Sequence, residues 1–200
     1  MARKVLEPQL VVATHNPGKL KEIRELLAPF PLAVTSAGLL GLPEPEETET
    51  TFEGNARIKA LAAACASGLP ALADDSGFCV EALDGEPGVY SANWAGSGKD
   101  FSVAMTRVQA LLEARGIASS PAHFVCVLAM AWPDEEVLFF RGETHGHTVW
   151  PGRGSKGFGF DPMFVPEGQT RTFGEMEYTE KLPLTHRARA FGKLVKACFA

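Results

Sequence analysis

Pro70-Ala71-Leu72-Ala73-Asp74-Asp75-Ser76-Gly77-Phe78 decides how this chain is read. A short apolar run, the length of a buried strand, ends abruptly in two adjacent carboxylates, a hydroxyl and a glycine. Two acidic groups at the carboxyl end of a strand are costly unless a cation or a proton satisfies them. Successive strand residues face opposite sides, so Asp74 and Asp75 are expected to do different jobs. In that division one carboxylate holds a hard metal ion and the other anchors the turn. A lone Asp-Asp also reads as an acidic loop, so the surrounding segments have to decide.

Upstream, Leu10-Val11-Val12-Ala13 reads as a buried first strand. Thr14-His15-Asn16-Pro17-Gly18-Lys19 follows, then a helix with Leu20, Ile23, Leu26 and Leu27 on one face. Asn16 is its expected N-cap, with Pro17 in the first turn, and Pro29 and Pro31 stop it. Val34 opens a short second strand, and the acidic, proline-bearing segment from Leu42 to Thr51 is a loop. A second helix is expected from Phe52 to Ser67, stopped by Gly68 and Pro70.

Downstream, 78–83 is a further short strand or helix, and Asp84-Gly85-Glu86-Pro87-Gly88 is turn chemistry. Asp100 caps a third helix carrying Ala104, Val108, Leu111 and Leu112, closed by Gly116. Residues 124–132 and 137–141 form a hairpin around Pro133-Asp134-Glu135-Glu136, with a strand near 144–149. Gly152 to Gly159 is a glycine-rich loop, and 185–199 is a last amphipathic helix. Helices and strands interleave early and a meander sits late, which predicts an α/β protein with a mixed β-sheet and flanking helices. With no repeat or linker, the 200 residues are expected to form a single continuous domain.

The net charge of −5 argues against a binder of polymeric nucleic acid, which usually carries a broad basic surface. A local basic pocket for a free nucleotide remains compatible with it. The N-terminus lacks the apolar stretch of a signal peptide, and no apolar run suits a bilayer span, so no membrane role and a cytoplasmic location are expected. Cys65, Cys79, Cys126 and Cys198 are scattered singly and are expected to be small buried residues of a reducing compartment rather than zinc ligands or disulfides.

Five segments could carry chemistry. The loop from Thr14 to Lys19 feeds a helix N-terminus, whose free N–H groups and dipole favour an anion, with Lys19 adding a mobile charge. Glu46 and Glu47 lie where one could share a cation with Asp75; so sparse a carboxylate supply suits Mg²⁺, which takes substrate phosphates and water as its other ligands. Asn55 and Lys59 are four apart on one helix face, and Lys59 is the better phosphate contact. Gly152-Arg153-Gly154-Ser155-Lys156-Gly157 satisfies G-x-G-x-x-G, but Pro162 prevents the helix that a dinucleotide fingerprint requires. Phe158 and Phe160, held by glycines, instead suggest a flat platform for a base, with Asp161 at its edge. Finally, Thr185 caps a helix whose first turn holds His186 and Arg187. Cations are unfavourable there unless something anionic or carbonyl-rich receives them.

Taken together, these segments resemble the inosine/xanthosine triphosphate pyrophosphatase family of house-cleaning nucleotide hydrolases. The resemblance rests on Thr14-His15-Asn16-Pro17-Gly18-Lys19, Thr51-Phe52-Glu53-Gly54-Asn55-Ala56, Ala73-Asp74-Asp75-Ser76-Gly77, Pro87-Gly88-Val89-Tyr90-Ser91-Ala92, Gly157-Phe158-Gly159-Phe160-Asp161-Pro162 and Thr185-His186-Arg187, in this order. It implies an elongated α/β fold of two lobes around an active-site cleft, a homodimer, and Mg²⁺-dependent hydrolysis of ITP, dITP and XTP to monophosphate and pyrophosphate. Asp75 then corresponds to the proton acceptor and metal-site carboxylate, with Glu47, or Glu46 in the other register, as its metal partner. Ser76 and the Thr14–Lys19 loop (Thr14, His15, Asn16, Pro17, Gly18, Lys19) contact the nucleotide. Phe158, Gly159, Phe160 and Asp161 hold base and sugar, while Lys181, His186 and Arg187 complete the base pocket. Phe160 stands where the family often has Tyr or Trp, and Thr185 where it usually has Ser. Two other readings stay open from the residues: a purine-sensing regulator that does not hydrolyse, and a pyrophosphatase for modified pyrimidine nucleotides.

Overall fold

The computed structural model describes residues 2–15 and 17–199, and of Pro17 and Gly18 the backbone alone. Its strands are β1 (Gln9–Val12), β2 (Ala33–Ser36), β3 (Ala71–Val80), β4 (Pro87–Gly88), β5 (Pro121–Ala131), β6 (Val137–Thr148) and β7 (Phe164–Pro166). Its helices are α1 (Pro17–Leu27), α2 (Phe52–Ser67), α3 (Ser91–Trp94), α4 (Phe101–Ala114), α5 (Tyr178–Lys181) and α6 (His186–Cys198). The seven strands make one mixed sheet in the order β2-β1-β3-β5-β6-β7, with β4 beside β3. β1 runs parallel to β2 and β3, while β4 and β7 pair antiparallel with β3 and β6. The expected mixed α/β architecture is what the chain adopts.

The helix limits follow from local chemistry. Thr51 caps α2 by accepting the Gly54 N–H at 3.1 Å, and Gly68 ends it at φ 68°, a left-handed position that suits glycine. Asp100 caps α4 through the Ser102 N–H at 2.9 Å. The Thr185 hydroxyl accepts the Ala188 N–H at 3.1 Å and so caps α6.

The chain divides into two compact units. One comprises the residues up to Asp75, Val127–Arg141 and those from Ala190 onward. Its core is Leu10, Val11 and Val12 of β1, Leu20, Ile23 and Leu27 of α1, and the buried alanines Ala56, Ala60, Ala63 and Ala64 of α2. Alanine on that face lets a helix lie close to a strand backbone. The other unit comprises Ser76–Cys126 and Gly142–Arg189. Its core is aromatic: Phe78, Phe124, Phe160, Phe164 and Phe173 join Trp94, Val108, Leu112 and Met163.

Three expectations are corrected. The strand holding the two aspartates does not end at them; β3 continues through Ser76 and Gly77 to Val80, its second half paired with β4 through Phe78↔Gly88 and Cys79↔Pro87. No turn is anchored there, because lysines from elsewhere in the chain meet both carboxylates. The strands expected at 137–141 and near 144–149 are a single β6, since nothing between them breaks the alternation. Cys65 is exposed on α2, whereas Cys79, Cys126 and Cys198 are buried as expected.

Candidate functional site

In the first unit, the loop between β1 and α1 is short and held at both ends. Thr14 is buried, and its carbonyl accepts the Gly38 N–H at 3.2 Å. His15 Nε2 lies 2.7 Å from the Leu42 carbonyl, which can only accept, so that nitrogen carries the proton. This bond ties the strand–helix loop to the start of the acidic segment. Asn16 lies outside the described residues; Pro17 and Gly18 open α1. Lys19, in its first turn, places Nζ 2.7 Å from Asp74 Oδ1.

The acidic segment is held at its far end by Asn55, a buried side chain whose Oδ1 accepts the Glu49 N–H at 3.0 Å. Nearer its start, Glu47 reaches α2 through Lys59. Lys59 Nζ sits 2.6 Å from Glu47 Oε1 and 3.2 Å from Asp75 Oδ1, with its side chain only 11% exposed. Burial works against the ammonium, but Asp75, Asp74 and Glu47 together outweigh it and raise the Lys59 pKa, so this lysine is charged.

Asp75 is 8% exposed. Burial raises its pKa to about 6; Lys59 pulls it down, while Glu47 and Asp74 push it further up. Its Oδ2 is buried and has no hydrogen-bond partner among the described residues. A buried carboxylate oxygen left unmet is costly and calls for a cation or a proton donor. Asp74 and Asp75 thus have different partners, as alternation along β3 requires, and Ser76 follows them half-buried.

In the second unit, the glycine-rich loop presents Phe158 at 67% exposure but folds Phe160 into the core at 2%. Phe160 stacks on Phe78 at 4.9 Å and meets Phe101 edge-on at 5.5 Å. The two-ring platform therefore reduces to Phe158. Asp161 is not a free edge group: it is buried, accepts the Phe158 N–H at 2.9 Å and pairs with Lys181. Burial raises its pKa against the pull of Lys181, the Phe158 N–H and Arg187. Gly157, at φ 77°, has no room for a Cβ, which would collide with Asp161 Oδ2. Lys181 Nζ also lies 5.2 Å from the ring centres of both Phe158 and Phe173. Gly159 sits between the two phenylalanines at φ 65°. His186 stacks flat on Phe124 at 5.1 Å, and Arg187 follows it in the first turn of α6.

Each unit thus gathers its own part of the predicted set: Thr14, His15, Lys19, Glu47, Lys59 and Asp75 in the first, Phe158, Gly159, Asp161, Lys181, His186 and Arg187 in the second. Glu46 is exposed and Phe160 is core. Sequence reading missed the Lys19–Asp74 pair, the Lys59 bridge to both carboxylates, and the supporting roles of Asn55 and Phe124. Only Asn55 had a usable signal, its position one turn before Lys59.

The hard oxygens of Asp75 and Glu47 fit Mg²⁺, and the unmet Asp75 Oδ2 gives such an ion a reason to bind. Among the described residues no three His, Cys, Asp or Glu side chains form a group that could hold a metal ion by themselves. No described helix is long and apolar enough to cross a membrane.

Residues 10–197 match the model of the Ham1 family. The chain is 57% identical to the dITP/XTP pyrophosphatase of a Bradyrhizobium species, with 98% of this chain and 97% of that one covered. It is 58% identical to the protein of that name in Ruegeria pomeroyi, covering 95% of each. Among solved structures, a HAM1 protein from Coxiella burnetii superposes with a TM-score of 0.90 at 36% identity, over 95% of this chain and 98% of that one. The Ham1 protein of Staphylococcus aureus gives 0.84 at 34% identity, over 93% and 95%. A family match over almost every residue, with relatives this similar along their full length, places the chain in the Ham1 family.

Proposed function

We propose that this chain is a single-domain nucleoside triphosphate pyrophosphatase that cleaves non-standard purine nucleotides, ITP, dITP and XTP, between the α and β phosphates. The observation that carries the reading is Asp75: a buried carboxylate with a pKa raised to about 6, beside Lys59, and with one oxygen left unmet among the described residues. The names of its relatives, dITP/XTP pyrophosphatase, support the substrate class. Homodimer formation and a place in the cytoplasmic nucleotide pool belong to the same reading through the family resemblance.

Asp75 and Glu47 would hold Mg²⁺, which supplies positive charge to the phosphates and makes a water easier to deprotonate. Asp75 takes the proton of the attacking water through a carboxylate oxygen that the described residues leave without a partner. Lys19 and Lys59 meet the charge that grows on the departing pyrophosphate. Phe158 supplies a face for the purine. His186 or Arg187 donates to the 6-carbonyl of hypoxanthine or xanthine. Adenine presents an amino group at that position and would leave the donor unpaired, at about 1–3 kcal/mol.

Purified protein with Mg²⁺, given dITP, XTP, GTP, ATP and modified pyrimidine triphosphates, tests this by pyrophosphate release. Release from dITP and XTP in preference to ATP is the expected result. Tight purine binding without release would mark a regulator instead, and release from modified pyrimidines alone would mark a different pyrophosphatase.

A further inference from the structure

Glu47 and Asp75 are already joined by a cation. The Lys59 ammonium bridges them, 2.6 Å from one and 3.2 Å from the other, on a side chain that is almost buried. We propose that Lys59 is the resident counter-cation of the metal site: without nucleotide it holds the charge position between Glu47 and Asp75, and it has to leave before a divalent ion binds. The inference rests on assigning the metal to Asp75 and Glu47, and adds how entry to that site is governed.

Two features carry it. An ion coordinated by Asp75 and Glu47 while Lys59 stayed in place would sit within a few ångströms of a full positive charge in a poorly solvated region, where like charges repel strongly. The Lys59 stem also lines a cavity of about 90 Å³, shared with His15, Glu44, Ala62 and Ala63. That open space beside Lys59, with Glu44 also on its wall, gives the side chain somewhere to move. A triphosphate is the natural trigger: its oxygens compete for Lys59 and bring the metal with them, so nucleotide and metal favour each other's binding.

The test is Mn²⁺ binding to nucleotide-free protein, read by electron paramagnetic resonance rather than by turnover. Lys59→Met keeps the stem and removes the charge, and should bind Mn²⁺ at least roughly tenfold more tightly than wild type, within the usual range of such couplings. Lys59→Arg, which keeps a cation, should bind as weakly as wild type. Adding Asp75→Asn to Lys59→Met should abolish the gain. Unchanged or weaker binding in Lys59→Met, with Asp75→Asn still removing it, overturns the counter-cation role and leaves the metal assignment standing. Binding indifferent to Asp75→Asn overturns both. Should Lys59→Met fail to fold, NMR of the ¹⁵N-lysine wild-type chain decides: saturating Mg²⁺ should shift the Lys59 ammonium resonance, and an unmoved resonance refutes the displacement.

Discussion

Replacing Asp75 by Asn should make the metal-free protein gain stability over wild type as the pH rises, while destroying its activity. The carboxyl pKa is raised from 3.8 to about 6, so the folded state holds the proton more tightly than the unfolded chain does. A group shifted this way contributes stability at low pH and loses it as the pH rises through about 6. At about pH 8 the cost of keeping Asp75 ionised in place is the shift of about two units at 1.36 kcal/mol each, about 3 kcal/mol, with the attraction of Lys59 already included. Asn cannot ionise and escapes that cost, though its amide N–H group takes the place of an oxygen with no partner, at about 1–3 kcal/mol. A single melting temperature would mix the two effects. Their pH dependence separates them, because the amide cost is the same at every pH.

The measurement is urea unfolding of both proteins in EDTA at about pH 4.5 and about pH 8. The stability of Asp75→Asn relative to wild type should rise by about 2 kcal/mol between the two, since at the lower pH part of the cost has gone with the proton. For a chain of this size, that is a shift of roughly 4–8 °C in melting temperature. Over the same comparison, pyrophosphate release should fall by about 10²–10⁴ on loss of the proton acceptor. A relative stability that stays flat or falls between these pH values would show that Lys59 outweighs burial at Asp75, and would refute the argument for a poised base.

Four further outcomes follow from the same geometry. At low Mg²⁺, kcat/KM should fall on the acid side with an apparent pKa near 6, because protonated Asp75 cannot accept a proton; saturating Mg²⁺ should move that limb to lower pH. Phe158→Ala should weaken nucleotide binding by about 1–3 kcal/mol, seen in KM or calorimetry, with little change in melting, since this ring is exposed. Phe160→Ala should instead lower stability by about 3–5 kcal/mol in denaturant titration, because the ring is packed between Phe78 and Phe101. Arg187→Met should shrink the preference for ITP over ATP by roughly 5- to 150-fold if Arg187 is the donor to the 6-carbonyl, measured as a ratio of kcat/KM.

The extent to which this site can be read from sequence depends on how local each feature is. α2 and its stop at Gly68 are set by residues within one turn of the chain, and the expected bounds 52–67 are those observed. The alternation of Asp74 and Asp75 is likewise a property of one strand. Their partners are not: Lys19 and Lys59 come from different helices, and nothing in the composition of either helix says which carboxylate it will meet. Phe158 and Phe160 show the same limit. Two residues apart in a glycine-rich loop, they looked equivalent; a turn of 3-10 helix at Asp161–Met163 sends one inward, and no periodicity in an irregular loop foretells which. β3 ran on past its acidic pair because β4 was there to continue the ladder, a pairing that the turn-like composition of 84–88 concealed.

Among the described residues two aspartate–lysine pairs are buried on both sides, and their difference separates architecture from chemistry. Asp161 meets Lys181 and the Phe158 N–H, with Arg187 adding to its stabilisation. Everything around it serves to fix one loop conformation, down to the missing Cβ at Gly157. Asp75 faces Lys59 through Oδ1 alone and keeps Oδ2 buried and unmet, next to a second carboxylate that makes its charge harder to hold. Asp161 takes a lysine and a backbone N–H on one oxygen, Oδ2, and has no buried oxygen left without a partner. A carboxylate with an unmet oxygen and a displaceable partner gains from any cation or proton that reaches it, and its burial enlarges that gain. The same side-chain pair therefore clamps a loop at Asp161 and stands ready to react at Asp75, and the deciding difference is the buried Asp75 oxygen that the described residues leave without a partner.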